Sequence, residues 1–232
     1  MWNSNVFKVT TSWTIALSVA FAPMARAQKG FAEAEVHNHD HDHDHEHGDE
    51  DHLAESAVVY AGHAAFEKHI KDNGLKDRDL VGFEASGDGE TIKAAIYTIP
   101  ADDKIQKTAY ECAVKRAEAG KLSGADCRNP AAQAIKNYTA APALLPHAQF
   151  EAAVDAALAT LETIKDAKGQ VAKLESIKSA KFWRSDFRGE PNLQVKFVWG
   201  ENTTTYMMCH RHHGEEMDCH RQPKAGPNEP QD

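Results

Sequence analysis

Half of the fourteen histidines in this 232-residue chain fall in one short stretch. His37, His39, His41, His43, His45 and His47 stand at every second position, with Asn38, Asp40, Asp42, Asp44 and Glu46 between them, and His52 follows Asp49-Glu50-Asp51. Imidazole is the commonest side-chain ligand for divalent transition metals at neutral pH. In an extended chain alternate side chains point to the same side, so this spacing aligns six rings. The intervening carboxylates concentrate cations and act as oxygen ligands or as hydrogen-bond partners of bound imidazoles. They also favour imidazolium, so metal uptake weakens as the pH falls towards about 6. Almost no apolar side chain is present, which keeps the stretch out of any core. Each ion bound carries an ordering cost, and several equivalents at modest affinity are expected in place of one tetrahedral structural site. The bland alternative is a solvated leader, but acids alone would serve that purpose.

A second constellation lies near the far end, Met207-Met208-Cys209-His210-Arg211-His212-His213-Gly214-Glu215-Glu216-Met217-Asp218-Cys219-His220. Its spacing matches neither a zinc finger nor a haem-attachment motif. With reduced cysteines it could form a Cys2His2 zinc site or a thiolate–thioether copper site. With oxidised cysteines a disulfide pins the loop and leaves His210, His212, His213 and His220 as nitrogen ligands. The bland reading is a disulfide-closed loop with solvated histidines. On an extended strand Met207, Cys209 and Arg211 share one face, and Met208, His210 and His212 the other. His63 and His69 are six apart and read as surface or capping residues; His147, isolated, reads as structural.

No nucleophile or acid–base arrangement stands out. There is no Gly-x-Ser-x-Gly, no paired-glycine phosphate loop and no His-Glu-x-x-His. Asp186 and Glu190 are a carboxylate pair by proximity alone, and Gly87-Asp88-Gly89 lacks the further oxygens of a calcium loop and reads as a turn. The expectation is a binding protein, not an enzyme.

The tract resembles the histidine-rich arms of periplasmic zinc-binding proteins and the histidine loops of zinc transporters, and the resemblance covers that stretch only. Zn²⁺ is the expected ion, with Ni²⁺, Co²⁺ and copper also suited to imidazole. The metal-ligand set is therefore His37, His39, His41, His43, His45, His47, His52, His210, His212, His213 and His220. The expected partners are metal ions and a metal transporter or other envelope protein. The alternative is an envelope protein-interaction module whose arm senses metal or solubilises the chain.

Residues 1–27 read as a secretory signal, with Lys8, an apolar stretch from Trp13 to Ala22, and a small-x-small site at Ala25-Arg26-Ala27. The expected location is the periplasm or the exterior, with no membrane span left after cleavage. Four cysteines in an oxidising compartment favour two local disulfides, Cys112–Cys127 and Cys209–Cys219. The formal charge is −9, yet from residue 68 onward 24 of the 35 acids face 23 of the 26 bases. The excess of acid belongs to the arm, and nothing in the balance suggests nucleic acid.

The elements that must carry these groups follow from periodicity. Residues 28–56 are expected to be a disordered His/Asp arm, 57–221 a single α+β domain, and 222–232, with Pro223, Pro227 and Pro230, a disordered tail. The spacing predicts a helix over 61–73, a β-hairpin over 80–99, and helices over 103–120, 131–138 and 147–168. An antiparallel meander is expected from Ala180 to Arg211. The fold class is thus α+β, with a helical middle between an N-terminal hairpin and a C-terminal meander. No internal repeat is visible.

Overall fold

A computed structural model of the chain describes residues 52–87, 91–99, 105–117, 120–135, 144–212 and 216–231. The expected signal segment and the histidines from His37 to His47 lie outside these residues.

The first helix, α1 (Ala57–Asn73), starts where Ser56 accepts a hydrogen bond from the Val59 amide at 3.4 Å. It buries Val58, Val59, Ala61, Ala65 and Phe66, and ends at Gly74, whose φ of 58° is the left-handed conformation that glycine adopts without strain. The expected hairpin follows as β1 (Leu80–Gly87) and β2 (Ile92–Thr98).

The helical middle is the expectation that fails. Residues Gln106–Arg116 form β3 and Leu122–Ala134 form β4, paired antiparallel with each other, while β3 also pairs with β2. Ala109, Cys112, Ala113 and Ala117 have helical spacing and good helix propensity, which suggested one buried stripe. In the sheet Thr108, Tyr110 and Cys112 point inward, while Ala109, Glu111 and Ala113 are exposed. The period is two, and ladder pairing on both edges overrides the propensity. Ala131–Ala134, expected to open another helix, close β4 instead.

The later elements keep their expected type, although the helix expected over 147–168 stops at Leu161 and Lys165 bridges Val171 beyond it. A 3-10 turn at His147–Gln149 leads into α2 (Phe150–Leu161), which buries Phe150, Val154, Ala157, Leu158 and Leu161. The meander comprises β5 (Ile177–Phe187), β6 (Glu190–Trp199), β7 (Thr203–His212) and β8 (Glu216–Gln222). All eight strands join one antiparallel sheet in the order β4-β3-β2-β1-β5-β6-β7-β8.

That order exposes a repeat the sequence conceals. Each half is a helix followed by a four-stranded meander, and the two meet at the β1–β5 ladder. Each half carries a disulfide between directly opposed residues of its third and fourth strands, Cys112–Cys127 and Cys209–Cys219. Cys112 and Cys127 Sγ each lie 3.8 Å from the Ala61 carbonyl oxygen of α1, and Cys219 Sγ lies 3.9 Å from that of Ala153 in α2.

Both helices cover the same face, where the core sits. Phe83 and Phe182 meet across the seam with ring centroids 4.9 Å apart, and Phe66 of α1 meets Phe150 of α2 at 5.0 Å. Contacts of this kind add about 0.5–1.5 kcal/mol each beyond the area buried. A second, smaller cluster of Val81, Ala95, Tyr97, Ile105, Ile135 and Trp183 lies apart from that core. Its Trp183 is reached by the C-terminal segment that composition reads as a disordered tail. Trp183 Nε1 donates to the Pro227 carbonyl at 2.8 Å, Ser185 Oγ donates to the same oxygen at 3.1 Å, and Lys181 Nζ bonds the Pro230 carbonyl and pairs with Glu229 at 3.4 Å. Gly226 packs against Gln194 there, and a Cβ would stand 2.0 Å from its Oε1, so that side chain would have to shift.

Candidate functional site

The described residues place the second constellation on the β7–β8 hairpin. Its register pairs Met208 with His220, Cys209 with Cys219, His210 with Asp218, and Arg211 with Met217. Strand alternation then separates two faces. Met207, Cys209 and Cys219 are buried in the core beneath α2. Met208, His210, Asp218 and His220 lie on the other face, half-buried or exposed. The cysteines are bonded to each other with Cα atoms 4.0 Å apart, so the open question of thiolate ligation closes in favour of the disulfide. The ladder and the bridge fix the hairpin from opposite sides of one residue pair.

On the outward face the His210 and His220 rings have centroids 5.5 Å apart and planes inclined at 57°. Asp218 Oδ2 stands 3.3 Å from His220 Nε2. A carboxylate in that position orients the ring. His212 occupies the last position of β7, opposite Glu216; His213 lies outside the described residues. Asp218 was not among the expected site residues. Its two-residue spacing from His220 was readable, but the strand register that sets it opposite His210 was not.

His52, counted with the arm, is the first residue of a 3-10 turn His52–Glu55 leading towards α1, and its Nδ1 lies 3.3 Å from Glu162 Oε2. It is thus held by the folded domain. The remaining histidines are built into the helical side. His69 is 8% exposed, which corrects its expected place at the surface. Its Nδ1 lies 2.8 Å from Tyr110 Oη and 3.2 Å from Asn73 Nδ2. Burial pushes the His69 pKa down and the Tyr110 pKa up, since both charged forms lose hydration. Glu67 Oε1 lies 3.3 Å from His147 Nε2 and 3.8 Å from His63 Nε2, and the His147 ring stands edge-on to Phe66 at 5.7 Å. The His147 amide donates to Asp77 Oδ1 at 2.6 Å, which gives this residue the structural role expected of it.

Among the described residues, no three or more His, Cys, Asp or Glu side chains are arranged to hold one metal ion. No described helix is long and apolar enough to cross a membrane, and the two disulfides are consistent with an oxidising compartment outside the cytoplasm. Comparison with protein-family models, with curated proteins and with solved structures finds no match to this chain.

Proposed function

We propose that this chain is an exported transition-metal-binding protein that captures or buffers zinc and hands it on. The observation that carries this reading is the alternation of six histidines with Asn, Asp and Glu from His37 to His47. Acids alone would serve a solvating leader, whereas histidine at every second residue suits metal ligation. Borderline imidazole and hard carboxylate ligands without sulfur suit Zn²⁺, and also Ni²⁺ and Co²⁺. Residues 1–27 would direct the chain out of the cytoplasm, to the periplasm or beyond, a destination that two buried disulfides support. His52, next to α1, would be the anchored end of the collecting arm, and the β7–β8 hairpin a second ligand surface. A metal transporter or another envelope protein would be the recipient. Elemental analysis of protein isolated from its native compartment tests the reading, alongside a free-thiol count. It predicts bound zinc and no free thiol; protein free of transition metal after isolation without chelators would count against it.

A further inference from the structure

The outward face of the β7–β8 hairpin differs in chemistry from the arm, and the difference lies in one residue. We infer that Met208, His210 and His220 form a copper site, with Asp218 as the carboxylate that orients His220. This deepens the proposed metal-binding function by giving the folded domain a different ion from the arm.

The register supplies the placement. Met208 and His220 are directly opposite, and His210 is the next residue along β7 on the same face. Directly opposed side chains on a ladder start about 4.5–5.5 Å apart at Cβ and diagonal ones about 7–8 Å, within the span of a methionine and two imidazoles around one ion. The two imidazole centroids stand 5.5 Å apart, so this diagonal pair already converges. Asp218 Oδ2 at 3.3 Å from His220 Nε2 engages that nitrogen, so His220 would coordinate through Nδ1.

The ligand types supply the selectivity. A thioether is uncharged and soft; it binds Cu(I) well and adds little to a zinc site. Two imidazoles and one thioether make a neutral set that satisfies monovalent copper, while the Asp218 carboxylate pairs with His220. The arm from Val36 to His52 contains neither methionine nor cysteine, so it offers copper no soft ligand. The disulfide contributes rigidity rather than electrons. Cys209 and Cys219 are buried on the opposite face, and they hold the register so that little ordering accompanies binding.

The test uses the full chain with His37, His39, His41, His43, His45 and His47 all changed to Asn, which silences the arm. Cu(I) is supplied with ascorbate under argon, conditions that leave the disulfide intact, and competed against a chromogenic Cu(I) chelator. One tightly held equivalent is expected, abolished by His210→Ala or His220→Ala. Asp218→Asn should weaken it by roughly 10–100-fold, the usual cost of losing such an orienting carboxylate. Met208→Leu should remove Cu(I) binding while leaving the thermal unfolding midpoint unchanged. Failure of the arm-silenced chain to retain copper overturns the site, as does Cu(I) binding that survives Met208→Leu. Neither result touches the arm, whose own failure would appear as unchanged zinc uptake when its six histidines are replaced.

Discussion

Arg184 offers the sharpest test of how the domain is held together. Its side chain is 0% exposed, at the middle of the sheet beside the seam between the halves. Its Nε donates to the Leu145 carbonyl at 2.5 Å, and Nη1 to the carbonyls of Asp77 at 2.5 Å and Leu80 at 3.0 Å. Its Nη2 lies 2.9 Å from Asp77 Oδ2. One guanidinium thus ties the turn before β1, the approach to α2 and β5 to each other. Arg184→Met keeps most of the apolar stem and deletes every donor. Each lost hydrogen bond from a charged donor is worth about 1.5–3 kcal/mol singly. The bonds are not additive, and removing one member of a buried ionic network costs about 3–5 kcal/mol in total. Asp77→Asn spares the backbone contacts and keeps an amide oxygen for Nη2, so it should cost distinctly less than Arg184→Met. In urea, with a slope of about 2 kcal/mol per molar, Arg184→Met should lower the unfolding midpoint by roughly 1.5–2.5 M. A shift below about 0.5 M, or equal effects of the two substitutions, would refute the assignment of the tie to Arg184.

Two further outcomes follow from particular contacts. Burial lowers the pKa of His69 below its ordinary 6.5, so the unfolded chain takes up this proton more readily than the folded one. Its contribution to stability is therefore complete above pH 6.5 and is lost as the pH falls through the lowered folded value. NMR titration should find the ring neutral at pH 6.5, and titration at or above that value would contradict the burial argument. Truncation after Gln222 removes the Pro227 carbonyl from Trp183 and the Pro230 carbonyl and Glu229 from Lys181. It should shift tryptophan emission to the red and lower the melting temperature; unchanged emission would mean that the segment does not cover the indole in solution.

Legibility followed the strength of the local period. Phe150, Val154, Leu158 and Leu161 made α2 readable because no strand pattern competes over those residues. The hairpin of β1 and β2 and the later meander were readable for the same reason, with alternation and turn residues in agreement. The middle was misread because Ala109, Ala113 and Ala117 fit a helical stripe as well as an exposed strand face. Alanine is small enough to be indifferent until pairing partners are known.

The repeat was hidden by complementary packing at the seam. Cys112 and Cys209 occupy equivalent places, opposite Ile92 and Leu193 respectively. Continuing the registers makes Ala85 equivalent to Phe182 and Phe83 to Ala180, while the seam pairs Phe83 with Phe182 and Ala85 with Ala180. Large and small have exchanged between the halves, so no common motif survives in the chain. What did remain legible was the chemistry of the cysteines, whose expected pairing is the one observed. The hairpin's Met208, His210 and His212 were placed on one face from the sequence. Asp218 and His220 joined Met208 and His210 only through the cross-strand register, which depends on where the turn falls. Arg184 and the C-terminal segment gave no signal at all: a buried arginine and a proline-rich tail both read, by composition, as surface.

The most direct measurement on the proposed function is a calorimetric zinc titration at pH 7.5 of the full chain beside its counterpart with the six arm histidines replaced by Asn. With four-coordinate zinc sharing imidazoles and carboxylates, the intact arm should take up about two to three equivalents that the counterpart lacks. This difference should shrink as the pH is lowered towards about 6, where protons compete for the same nitrogens. Equal zinc uptake by the two proteins at pH 7.5 would contradict the claim that this arm exists to collect metal.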